Sequence, residues 1–217
     1  MTCMAGYLKM ARLDYYTMKS QVIIYLTLAA IVMIFGFMGS SFMIMCITGS
    51  WFTALLSSNI FAIQEKNGLH RLYGSVSISL SNIVMGRYIF YIFSFVISFI
   101  TISIIYVFMI LLEIKALELL DILLGFSMSL LVYSLIIGIQ VPMFFKMGYT
   151  KAKIWTMIPF VGILALLIIP SFTSVLSGVV ETILSHQVFL VIGGFFISCA
   201  ILFLSYRFSL FAYRRRE

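Results

Sequence analysis

Two histidines, three cysteines and seven carboxylates are all that this sequence offers for building a reactive or metal-binding site. Membrane catalysis needs such groups clustered. His70 and His186 lie far apart, and neither has His, Cys or carboxylate neighbours at ligand spacing. Glu113, Glu118 and Asp121 come closest to an acidic cluster, but they border an apolar run, where charges mark the water interface. HExxH, GxSxG and DxxD patterns are missing, and so is the GxxxxGK[ST] loop that cradles ATP phosphates. Cys3, Cys46 and Cys199 are scattered, and two of them fall within apolar runs, as small buried apolar residues do. The expectation is a chain with no catalytic residues, no metal site and no cofactor of its own.

The elements around these residues are apolar runs. Of the 217 residues, 63% are hydrophobic, and the mean hydropathy is +1.17. A soluble domain needs a polar surface that this composition does not supply. Val22 to Ile63 holds no Asp, Glu, Lys or Arg, which is too long for one crossing when ~20 residues span the hydrocarbon. Gly36, Gly39, Ser40 and Ser41 mark a turn, dividing it into spans near 22–38 and 42–62. Further spans are expected near 88–112, 119–141 (ending at Pro142), 154–172 and 187–206. A charge at the centre of a span costs about 2.5–3.5 kcal/mol on insertion scales, which accounts for the charge-free runs.

Thirteen of the 14 Lys and Arg residues fall in alternate gaps between these spans. Lys115 alone lies on the other side, beside Glu113, Glu118 and Asp121. Basic residues resist translocation, so the loaded side is expected to be cytoplasmic, with both termini inside. Divided by side, the net charge of +7 becomes +10 inside and −3 outside. The positive balance then reflects orientation and attraction to anionic lipid, and no nucleic-acid partner is expected.

Three connecting stretches carry more than topology. Over residues 1–20, Met4, Leu8, Ala11, Tyr15, Met18 and Val22 recur at steps of four and three, with Lys9, Arg12, Tyr16 and Lys19 on another face. This predicts an amphipathic helix in the cytoplasmic interface. In 173–186, Val175, Leu176, Val179, Val180, Ile183 and Leu184 predict a short amphipathic helix in the outer leaflet, or else a prolongation of span five. Between spans two and three, residues 63–86 hold about two helical turns of polar sequence and then a Ser-rich patch. Glu65, Leu69, Leu72 and Val76 share one helical face, which suits either a short surface helix receiving force from a soluble partner or a solvated loop.

Within that stretch, Glu65, Gly68, Leu72, Ser75, Ile78, Ser79, Ile83, Val84, Arg87 and Tyr88 match a recognisable pattern. It resembles the intracellular loop of type-2 ABC exporter permeases. Ser77 stands where that family usually has Pro, and Leu80 where it has a basic residue. The resemblance implies one all-α membrane domain over 1–217, with six transmembrane helices and a cytoplasmic coupling helix between the second and third. It implies a separate ABC ATPase that binds ATP and Mg, and a second permease subunit, either identical or closely related. Glu65, Asn67, Gly68, Leu69, Arg71, Leu72 and Ser75 would form the ATPase-coupling residues. Small permeases exporting amphipathic peptides such as phenol-soluble modulins look most similar, which points to a bacterial plasma membrane.

The cargo wall is less sharply marked. Twenty-one Phe and 14 Met make an adaptable apolar surface suited to amphipathic or hydrophobic cargo. Span two is the most polar, and Thr53 and Ser57 share a face there. They either line a translocation path or hydrogen-bond between helices. Two rivals are a substrate-capturing subunit of an energy-coupling-factor importer, which would lack the Glu65–Gly68 loop, and a lipid-acting membrane enzyme, which would need the missing cluster.

Overall fold

A computed structural model describes residues 6–19, 22–68, 79–112, 119–168 and 187–215, with the side chains of 22–24, 156, 159–160 and 163–168 outside the described set. The described residues form helices without strands: α1 (Gly6–Met18), α2 (Val22–Phe37), α3 (Phe42–Ser57), α4 (Asn59–Lys66), α5 (Leu80–Leu111), α6 (Leu119–Met147), α7 (Tyr149–Ile168) and α8 (Gln187–Arg214). Among the described residues, four stretches are long and apolar enough to cross a membrane: Phe42–Lys66, Leu80–Leu111, Leu119–Met147 and Gln187–Arg214. A shorter apolar helix covers Tyr25–Phe37. Residues 113–118 and 173–186, including the expected outer-leaflet helix, lie outside the described residues.

The bundle is apolar on the outside and hydroxyl-rich within. Phe93, Ile100, Ile104 and Phe108 on α5 and Phe189, Phe196, Phe203 and Phe208 on α8 face outward, while Ser50, Thr53, Ser98, Ser127, Ser134, Ser198 and Ser209 are buried. Lipid tails solvate Phe as well as a core does, so helix association in a bilayer depends on close packing and interhelical hydrogen bonds. The seam of α8 shows this. Its buried residues are Gly194, Ser198, Ser205, Ser209 and Tyr213, stepping by four and seven along one face. A Cβ on Gly194 would sit 2.5 Å from Ser127 Oγ, so α6 and α8 touch at van der Waals distance there. Ser127 Oγ donates to the Val191 carbonyl at 2.8 Å. The Tyr88 hydroxyl lies 2.5 Å from Ser205 Oγ and 2.9 Å from Ser209 Oγ.

Four boundaries differ from those the sequence suggests. Helix α6 continues through Pro142 to Met147. Proline removes one backbone bond and crowds the carbonyl four residues back, yet such helices persist where packing holds the following turn. Here Val141, Phe144 and Phe145 are buried, and Phe61 packs on both Phe144 and Phe145. The chain instead turns at Gly148, whose φ of 79° favours glycine, and α7 starts at Tyr149 rather than near 154. Helix α5 starts at Leu80, two turns before the expected span, because Ile83, Val84, Arg87, Tyr88 and Tyr91 already form a buried stripe. Helix α8 extends past 206 to Arg214, with Ser209 and Tyr213 continuing its buried stripe.

Helix α1 docks with a different face from the expected apolar stripe. Met10, Asp14 and Met18 are buried, whereas Leu8 and Tyr15 are exposed. Gly6 lies by Asn82, Met10 by Gly86 and Asp14 by Arg87, so α1 and the start of α5 run in the same sense. A Cβ on Gly86 would meet Met10 Cβ at 2.7 Å and the Tyr7 carbonyl oxygen at 2.8 Å, which is why a glycine stands at this crossing. Leu8 and Tyr15 remain on the outer side, available to lipid.

Candidate functional site

Helix α4 follows α3 after a break at Ser58, whose hydroxyl donates to the Leu55 carbonyl at 2.6 Å. Ile60, Phe61 and Gln64 turn inward, and Glu65 turns outward. The neighbouring residues Gln64 and Glu65 therefore hold different helices. Gln64 Oε1 accepts from Arg87 Nη2 of α5 at 2.6 Å. Arg87 Nη1 lies 3.3 Å from Asp14 Oδ1 of α1, and the guanidinium sits 4.8 Å over the Phe61 ring. Arg87 is 0% and Asp14 1% exposed, so three helices meet on a fully desolvated ion pair. Its hydrogen bonding is incomplete: Asp14 Oδ2, Arg87 Nε and the Tyr91 hydroxyl are buried without partners.

Glu65 does a different job. Its carboxylate accepts from the backbone N–H of Tyr149 at 2.6 Å and of Thr150 at 3.3 Å, and from the Thr150 hydroxyl. These groups open α7, whose first N–H groups have no intrahelical acceptor. A carboxylate there satisfies them and complements the positive end of the helix dipole, an effect worth about 1 kcal/mol. Asn67 and Gly68 close α4: Asn67 N–H reaches the Ile63 carbonyl and Gly68 N–H that of Glu65. Gly68 has φ 61°, and no described atom lies within 4 Å of where its Cβ would be. That backbone conformation favours glycine. Leu69, Arg71, Leu72 and Ser75 lie outside the described residues.

Thr53 and Ser57 are both wholly buried on α3. Thr53 Oγ1 bonds the Gly49 carbonyl and, at 2.8 Å, Ser98 Oγ of α5. Thr53 also opens on a groove of about 260 Å³ between α1, α2, α3 and α5. Among the described residues, no three His, Cys, Asp or Glu side chains converge as a metal site would require.

Sequence reasoning located Glu65 but missed Gln64, Asp14 and the burial of Arg87. A signal for Asp14 was present: Met10 and Met18 flank it at four-residue steps, placing the carboxylate in the middle of an apolar face.

Burial pushes the Asp14 carboxyl up to about 6, with the Arg87 guanidinium pulling the other way. A folded-state value above the unfolded one means that the folded protein holds a proton which the unfolded chain releases. The contribution of Asp14 to stability should therefore be largest below about pH 4 and be lost as pH rises through about 6. Melting temperatures in detergent between pH 4 and 7 should show this slope, and Asp14→Asn should flatten it. An unchanged slope in that variant would assign the pH dependence elsewhere.

The sequence model of the ABC-2 family transporter protein matches residues 9–214. The chain belongs to the ABC-2 transporter family. Its members are membrane transport components that work with an ABC ATPase subunit rather than ATPases themselves. No curated protein and no solved structure matches the chain. The ABC-2 match spans α1 to α8, so the ion-pair junction and the Glu65 cap belong to the transporter domain itself.

Proposed function

We propose that this ABC-2 chain is the permease subunit of an ATP-driven exporter, and that its separate ATPase drives it through the stretch beginning at Glu65. The observation that carries this reading is the double attachment of α4. Gln64 holds Arg87 of α5 and, through it, Asp14 of α1; Glu65 holds α7, and the chain leads directly from them into residues 69–76. A push on that stretch reaches three helices through two adjacent side chains. Leu69, Leu72 and Ser75, with Arg71, would meet a groove on the ATPase, which binds ATP and Mg. Leu72→Asp is expected to abolish cargo-stimulated ATP hydrolysis, with the permease still folded in membranes. Normal stimulation by that variant would leave the stretch an ordinary loop.

The same reading takes six spans with both termini cytoplasmic in a bacterial plasma membrane, α1 in the cytoplasmic interface and 173–186 in the outer leaflet. Intact-cell labelling should reach a cysteine placed at Lys115 and miss one at Lys151; the reverse would overturn the orientation. Two copies, or this chain and a close relative, would enclose the path between them, since six helices are few for a closed wall around a peptide. The cargo would be amphipathic, such as phenol-soluble modulins or antimicrobial peptides, or otherwise hydrophobic, drawn from the cytoplasm or inner leaflet. Thr53 and Ser57 would line the path only when α3 and α5 part, because Thr53 is tied to Ser98.

A further inference from the structure

The groove beside Thr53 has the shape and chemistry of a lipid site. Its wall on α5 runs from Phe90 to Thr101, which at 1.5 Å per residue is about 16 Å. That is roughly the depth of one leaflet of a ~30 Å hydrocarbon core. Its lining is mainly apolar, with Phe90, Phe93 and Ile97 as its aromatic and branched wall. Phe93 and Ile97 are also 52% and 44% exposed, so the groove opens sideways on the face turned to the bilayer.

The polar groups lie where a glycerolipid would need them. Lys19 borders the groove at the end of α1, and no carboxylate lines it. The nearest acid in the chain, Asp14, is buried against Arg87. Lys9 and Arg12 are exposed on the same helix but do not line the groove. Ser94, Ser98 and Thr101 supply hydroxyl groups on the α5 wall. Thr53 gives its one hydroxyl proton to the Gly49 carbonyl, so Ser98 donates to Thr53. The Ser94 hydroxyl on the same wall suits an ester carbonyl oxygen.

We infer that the groove holds an anionic phospholipid, with its phosphate at Lys19 and one acyl chain along Phe90, Phe93 and Ile97. The lipid would stand between α1 and α5, stabilising their junction from the membrane side. Assigning it to the inner leaflet rests on the cytoplasmic placement of α1, which the Lys115 and Lys151 labelling tests separately.

The test places a tryptophan at Phe93, with Trp51 and Trp155 replaced by Phe, in detergent-solubilised permease. Phosphatidylglycerol brominated on its acyl chain should quench it saturably, with at least fivefold higher affinity than brominated phosphatidylcholine. Lys19→Gln should bring the two lipids to equal affinity, and Lys9→Gln, away from the groove, should leave the preference intact. Equal quenching by both lipids in the parent, or equal loss of preference in both variants, would reduce the contact to ordinary boundary lipid and overturn the site. Displacement of bound phosphatidylglycerol by an amphipathic peptide at comparable concentration would make the groove a cargo site and overturn it as well.

Discussion

Arg87→Ala is expected to destabilise the permease by about 3–5 kcal/mol, the cost of removing one partner from a fully desolvated ion pair. The variant loses the Gln64 bond, the contact over Phe61 and the counter-charge of Asp14 together. It also leaves Asp14 inside the protein, where it must take up a proton or remain an unpaired charge. The double variant Asp14→Leu/Arg87→Met should recover much of the loss, because two apolar side chains of similar bulk need no hydration. Thermal melting of the parent, Arg87→Ala and the double variant in one detergent measures the loss and its recovery. Recovery of melting temperature together with lost cargo-stimulated ATP hydrolysis would assign the pair to force transmission. Wild-type hydrolysis in the stabilised double variant would make it a packing device only. A parent-like melting temperature for Arg87→Ala would refute the burial of the pair.

The second large effect concerns the tie between α3 and α5. Thr53 Oγ1 and Ser98 Oγ are 2.8 Å apart, close enough for cysteines at the two positions to approach bonding distance with modest adjustment. With Cys3, Cys46 and Cys199 replaced by serine, Thr53→Cys/Ser98→Cys should oxidise to an intramolecular disulfide. If the path requires these helices to part, transport should fall to background on oxidation and return on reduction, while ATPase binding persists. Unchanged transport by the fully crosslinked protein would remove Thr53 from the path and leave it an interhelical tie.

The helices were legible because their signals are local. Charge-free runs, the Gly39 turn and the alternation of basic gaps are each contained in short windows, and the helical segments follow them. The ends were less legible because they depend on partners. Pro142 is a stop signal in isolation, and only the packing of Phe144 and Phe145 against Phe61 carries α6 past it. Arg87 belongs to the same class. Beside Gly86 and Tyr88 it marks a membrane boundary, and nothing nearby announces an acid 73 positions earlier. Glu65 was visible as a member of a motif, but its acceptor role toward α7 depends on a turn at Gly148, inside the gap the sequence left between Pro142 and residue 154.

The hydroxyl seam of α8 bears on how the protein is made. Tyr88 of α5 and Ser127 of α6 emerge from the ribosome about 120 and about 60 residues before the partners they meet at Ser205, Ser209 and Val191. During that interval both sit in nascent helices without their final partners, in a hydrocarbon that offers no substitute. Insertion of α8 supplies those partners in a single docking step, so a chain stalled before that point would lack the hydroxyl seam that fastens α5 and α6 to α8.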